Sequence, residues 1–195
     1  MLYQVLITLC LAWSASADCR VPPTVANFNL KGIEGVWFIK ILDFTNLADN
    51  VIYGAASCAT LNLTIDSPQP EINQWRINMN LAVLLPLDVG AQFFRKTPSG
   101  DVLRLYFPIR DVFYDVYTVC TDYSTYVIHY ACENTTVYGR SEIIFVSVKD
   151  LSQYENVINS SEVQRCLSLI SNKAVAELNE VEHDNCSYNS LISIS

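Results

Sequence analysis

Between Gly35 and Val148 the chain breaks into eight short stretches of strand-like sequence separated by turn residues, and this pattern constrains its fold most. The clearest stretch alternates Trp75, Ile77, Met79 and Leu81 with Gln74, Arg76, Asn78 and Asn80. Side chains alternate across a strand, so this one has a dry face and a wet face. In a second stretch Val127, His129 and Ala131 share one face, while Tyr126, Ile128, Tyr130 and Cys132 share the other. It follows a Thr-Asp turn signal, whose short polar side chains bond back to their own backbone. The remaining six are 35–41, 57–65, 91–96, 102–107, 112–119 and 141–148, with a loop expected over 43–53 and a turn over 86–90. Such spacing predicts an antiparallel barrel or sandwich. One helix is expected after it, over 151–178, with Val163, Leu167 and Ile170 at roughly helical spacing and Ser161 as a cap.

The chain of 195 residues opens on an apolar run, Leu2 to Trp13, too short to cross a bilayer, followed by Ala15-Ser16-Ala17. That ending reads as a signal-peptidase site, so residues 1–17 are expected to be a signal peptide and 18–195 a single domain. Of seven cysteines, Cys10 falls in the leader. The other six, Cys19, Cys58, Cys120, Cys132, Cys166 and Cys186, suit up to three disulfides in a secreted chain. Sequons at Asn62, Asn134, Asn159 and Asn185 mark candidate glycosylation sites. On the second stretch Cys58 and Asn62 share a face; a glycan there points outward, which turns Ala59, Leu61 and Leu63 toward a core.

A net charge of −8 with pI near 4.6 argues against nucleic-acid binding, which needs clustered Lys and Arg. No second hydrophobic run long enough for a transmembrane segment is present. Zinc is disfavoured by the lack of a Cys-x-x-Cys pair and by only two histidines, and no metal or cofactor is expected. No nucleophile elbow, zinc-protease motif, P-loop or dinucleotide fingerprint occurs, so no catalytic residue is assigned and the chain is not read as an enzyme.

Gly35-x-Trp37 on the first strand, Thr121-Asp122-Tyr123-x-x-Tyr126 before the seventh, Asp18-Cys19-Arg20-Val21 and Phe145-Val146-Ser147 resemble the lipocalin family, in particular its apolipoprotein D, crustacyanin and retinol-binding group. The resemblance spans nearly all of 18–186. It implies an all-β, eight-stranded, up-and-down barrel with the C-terminal helix packed outside. It also implies that a basic residue, here Lys149, lies across the Trp37 indole at the closed end. It pairs Cys19 with Cys132 and Cys58 with Cys186, and matches Cys166 to a helix cysteine whose partner here is Cys120. A retinol-binding pattern pairs Cys19 with Cys166 instead. A lipocalin isomerase uses an inward cysteine thiol, whereas Cys58 reads as outward.

An eight-stranded barrel has room for one small ligand. The candidate lining is Ile39, Leu61, Ile77, Met79, Leu103, Leu105, Val127, His129, Ile143 and Phe145. His129 is the one polar group on its stripe, placed to bond a ligand carbonyl, hydroxyl or carboxylate or a neighbour in the core; His183 reads as solvated in a polar tail. The resulting expectation is a secreted carrier of a small hydrophobic molecule such as a carotenoid, retinoid, fatty acid, sterol or bilin. The alternative is an extracellular assembly module, homo- or hetero-oligomeric, acting through an aromatic exterior of Phe94, Tyr106, Tyr126, Ile128 and Tyr130.

Overall fold

The computed structural model describes residues 19–65, 73–81, 86–107, 111–135 and 139–188; the apolar leader and its cleavage signal lie outside them. The strands are β1 (Gly35–Phe44), β2 (Ser57–Ile65), β3 (Asn73–Asn80), β4 (Pro86–Arg95), β5 (Val102–Phe107), β6 (Val112–Thr121), β7 (Tyr126–Thr135) and β8 (Gly139–Val148). Each pairs antiparallel with the next, and β8 returns to β1, closing an up-and-down barrel. Closure removes the exposed edges that an open sheet would present.

Period-two alternation sets which side chains face in. Trp75, Ile77 and Met79 of β3 and Val127 and Ala131 of β7 enter the interior core, together with Leu61, Leu63, Leu103 and Leu105. The opposite face of β7 supplies Tyr126, Ile128, Tyr130 and Cys132 to a second core outside the barrel. In β1 a bulge between Ile39 and Ile41 changes the parity. Ile39 points in and Ile41 out, yet Leu42 and Phe44 point in again. One extra residue in a bulge is enough to move every later side chain to the other face. One strand thereby serves both cores.

Three expectations need correction. Residues 43–53 are not a loop: β1 runs to Phe44, and α1 (Leu47–Tyr53) follows. Residues 86–90 are not a turn but the first half of β4, since Pro86 opens the strand, where no ladder donor is lost. The single helix over 151–178 is two short helices, α2 (Tyr154–Ile158) and α3 (Ser161–Ser168), flanked by 3-10 turns at Leu151–Gln153 and Val175–Glu177. Ser160, not Ser161, caps α3: its hydroxyl accepts from the Val163 amide. Val163, Cys166 and Leu167 of α3 and Ile170 beyond it cover Ile128, Tyr130 and Val146 of the barrel wall.

The tail beyond α3 is anchored to β1 and β2. The Val181 amide donates to Lys40 O at 2.8 Å, the Leu42 amide to Asn179 O at 3.0 Å, and the Cys58 amide to Glu182 O at 2.8 Å. Disulfides join Cys19 to Cys132, Cys58 to Cys186, and Cys120 to Cys166. The first ties the N-terminal arm to β7, the second the tail to β2, and the third α3 to β6. Among the described residues no helix is long and apolar enough to cross a membrane.

Candidate functional site

The two ends of the barrel differ. At one end Trp37 is fully buried and its indole N–H donates to Ile33 O at 2.7 Å. The Lys149 ammonium sits 4.0 Å from that ring's centre and donates to Glu34 O and Val36 O, both at 3.2 Å. Burial pushes the Lys149 pKa down. The β6–β7 turn packs beside this end. There Asp122 accepts from the amides of Ser124, Thr125 and Tyr126 at 2.7–3.1 Å. Thr121 donates to Tyr126 O at 2.7 Å, and the Tyr123 ring stacks on Phe28. Gly35 adopts φ +100°, a conformation that L side chains rarely take, and it lets the chain turn into β1 under Lys149.

The other end is covered by α1. Asp49 is completely buried there, with Ser141 donating to its carboxylate at 2.9 Å, and Tyr53 stacks on Phe44. Beneath α1 lies a cavity lined almost wholly by apolar side chains, among them Leu42, Phe44, Ile77, Met79, Leu105 and Phe145. It is slim. Its volume is about 60 Å³.

Of the lining residues expected from the sequence, Ile77, Met79, Leu105, Ile143 and Phe145 border this cavity. Ile39, Leu61, Leu103 and Val127 lie in the interior core but not on the cavity wall. His129 is fully buried, its ring centre 5.0 Å from that of Trp75. Leu42, Phe44, Asp49, Tyr53, Leu87, Val89, Phe107, Tyr114 and Ala131 complete the wall, and none of them was a candidate from sequence. Leu42 and Phe44 are hidden by the β1 bulge, and Leu87 and Val89 by the turn reading of Pro86. Tyr114 could have been found, because it alternates with Val116 along β6.

His183 is not solvated. It is half-buried, with Nε2 2.9 Å from Ile39 O and Nδ1 against the Tyr188 hydroxyl; burial holds its pKa below the ordinary histidine value. Asn134, Asn159 and Asn185 are exposed, and Asn62 is half-buried on the outer side of β2. Tyr126, Ile128 and Tyr130 lie beneath the C-terminal helices and offer no exterior surface. Among the described residues no group of three His, Cys, Asp or Glu side chains could hold a metal ion.

The chain forms a barrel closed at one end, with an apolar cavity at the other and a helix across its mouth. It is the lipocalin fold. No protein-family model and no curated protein matches the chain. Solved structures do. Lobster apocrustacyanin A1 is 18% identical with a TM-score of 0.57, covering 83% of this chain and 84% of that one. The major allergen Per a 4 from cockroaches is 14% identical with a TM-score of 0.63, covering 89% and 98%. Siderocalin Ex-FABP is 12% identical with a TM-score of 0.53, covering 77% and 94%.

Proposed function

We propose that the chain is a secreted carrier that holds one small hydrophobic molecule in the cavity beneath α1. The observation that carries this reading is the cavity wall, where side chains from seven of the eight strands leave an apolar space inside the barrel. Burial of a ligand's apolar surface there contributes ~25 cal/mol per Å². The slimness of the cavity favours a narrow ligand, or one whose entry moves Met79, Leu87 and Phe107. A carotenoid, retinoid, fatty acid, sterol or bilin remains the candidate class. Siderocalin Ex-FABP, of the same fold, functions through dual ligand specificities, and this supports a binding role. Three disulfides suit an extracellular setting, and the exposed sequons at Asn134, Asn159 and Asn185 suit a glycoprotein. Of the aromatic exterior that an assembly role would use, Phe94 and Tyr106 remain outside the second core. The test is titration with a panel of hydrophobic ligands, read by tryptophan fluorescence and native mass spectrometry. Saturable one-to-one binding is expected, and binding of none of the panel overturns the reading.

A further inference from the structure

Below the cavity the barrel interior turns polar. Thr118 on β6 stands directly opposite His129 on β7, and Phe145 on β8 stands opposite His129 on its other side. Ser147, two residues on along β8, lies opposite Val127 and so faces the same interior. The Trp75 indole approaches the imidazole edge-on. Both His129 ring nitrogens, Trp75 Nε1, Thr118 Oγ1 and Ser147 Oγ are buried without a hydrogen-bond partner. Thr118, His129 and Ser147 are each 0% exposed. A buried polar atom left unpaired is destabilising, so five in one layer form a site prepared for a hydrogen-bonding guest.

The chemistry of the layer selects the guest. Burial drives the His129 pKa down to about 3, so at neutral pH the ring is uncharged and offers one N–H and one lone pair. Trp75 only donates, while the two hydroxyls donate or accept. None of the ion pairs and cation contacts seen among the described residues involves this layer. A carboxylate or ammonium would therefore be buried without a counter-charge, at a large desolvation cost. A hydroxyl or carbonyl oxygen meets no such cost.

We propose that this layer anchors a neutral oxygen function of the ligand. Its apolar body lies in the cavity and its hydroxyl or carbonyl group reaches His129, so the cargo is an apolar alcohol, aldehyde or ketone. Phe145 lies between the cavity and this layer: it lines the cavity and stands opposite His129, so a ligand group must displace its ring to reach the imidazole. The inference rests on the carrier reading above.

The experiment compares 1-tetradecanol, tetradecanoate and tetradecane at pH 7.5, by displacement of a fluorescent apolar probe from the intact disulfide-bonded protein. About tenfold tighter binding of the alcohol than of the alkane is expected, the worth of one well-made hydrogen bond, with the carboxylate no better than the alkane. The conservative variants Thr118→Val and Ser147→Ala keep the shape of the layer and should each narrow the alcohol preference. His129→Phe should abolish it. Equal binding of alcohol and alkane, or preference for the carboxylate, overturns the anchor and leaves the carrier standing. Failure of all three ligands and of the probe to bind overturns both.

Discussion

The Lys149 ammonium lies 4.0 Å from the centre of the Trp37 indole and at the same time donates to the carbonyls of Glu34 and Val36. One cation thus ties the end of β8 to the start of β1 at the place where the barrel closes. A cation over a partly desolvated aromatic face is worth roughly 0.5–2 kcal/mol. Lys149→Met is therefore expected to lower thermal stability by about 1–8 °C, since 1 kcal/mol corresponds to roughly 2–4 °C in a domain of this size. Lys149→Arg, which keeps the stacked cation, should lose less. Calorimetric melting curves of the two variants decide the matter; equal losses would sink the cation–π account.

Gly35 lies in the same corner at φ +100°, and a Cβ there would approach the Lys149 ammonium at 3.5 Å. Space is not the problem; backbone strain is. Gly35→Ala should cost roughly 1–2 kcal/mol, read as a lower urea midpoint with an unchanged slope. An unchanged midpoint would refute the claim.

The Cys58–Cys186 bridge has a sequence separation of 128 residues and fastens the tail to β2. Chain-entropy reasoning puts its worth at up to about 4–5 kcal/mol. Cys58→Ser should leave Cys186 open to alkylation and lower the melting temperature. Peptide mapping without reduction checks the pairing directly: a Cys58 peptide joined to any partner but the Cys186 peptide would contradict it.

His129 predicts an acid-labile fold. Its folded pKa is held at about 3 by burial, against an ordinary value of 6.5. Between those values the unfolded chain binds a proton that the folded one does not. Stability attributable to this residue is therefore intact above pH 6.5 and falls as pH drops toward 3, by at most about 1.4 kcal/mol per pH unit. In His129→Phe this part of the slope should vanish. Urea unfolding of both proteins at several pH values between 7 and 4 measures it, and parallel slopes would rule it out.

Ala131 is the smallest side chain on the cavity wall. Ala131→Phe should fill the cavity and abolish uptake of any apolar ligand, with a stability change of about 1–3 kcal/mol from crowding. Undiminished binding in this variant would place the ligand elsewhere.

Strand alternation made the barrel legible, because a face buried along its whole length repeats every second residue. Trp75, Ile77 and Met79 are the clearest case. That rule fails where the backbone adds a residue, so Leu42 and Phe44 could not be found on β1. It is also misled by Pro86, which marks a turn in most contexts but here opens β4. Helix α1 turns Leu47 and Val51 to solvent and buries Asp49, so apolar spacing in its sequence does not mark the face that packs on the barrel. At the C-terminal end a periodicity spread over 151–178 looked continuous, but the N-cap at Ser160 starts a new helix. The cavity inherits these losses, since six of its fourteen lining residues come from elements whose limits local sequence does not reveal.

Pairing of β1 with both β8 and the tail has a consequence for the chain as it is made. A ribosome adds roughly 5–20 residues per second. The first strand therefore emerges several seconds before residues 139–148 and 179–183 exist to cover it. During that interval β1 presents an unsatisfied edge rich in Ile, Leu and Phe, the kind of edge that recruits other chains. The Lys40 and Asp43 side chains, which in the finished protein ion-pair with Glu180 and Lys173, are charges that keep this waiting strand in water. Newborn chains are thus more exposed to aggregation than finished ones until residues 179–183 have been made and have docked on β1.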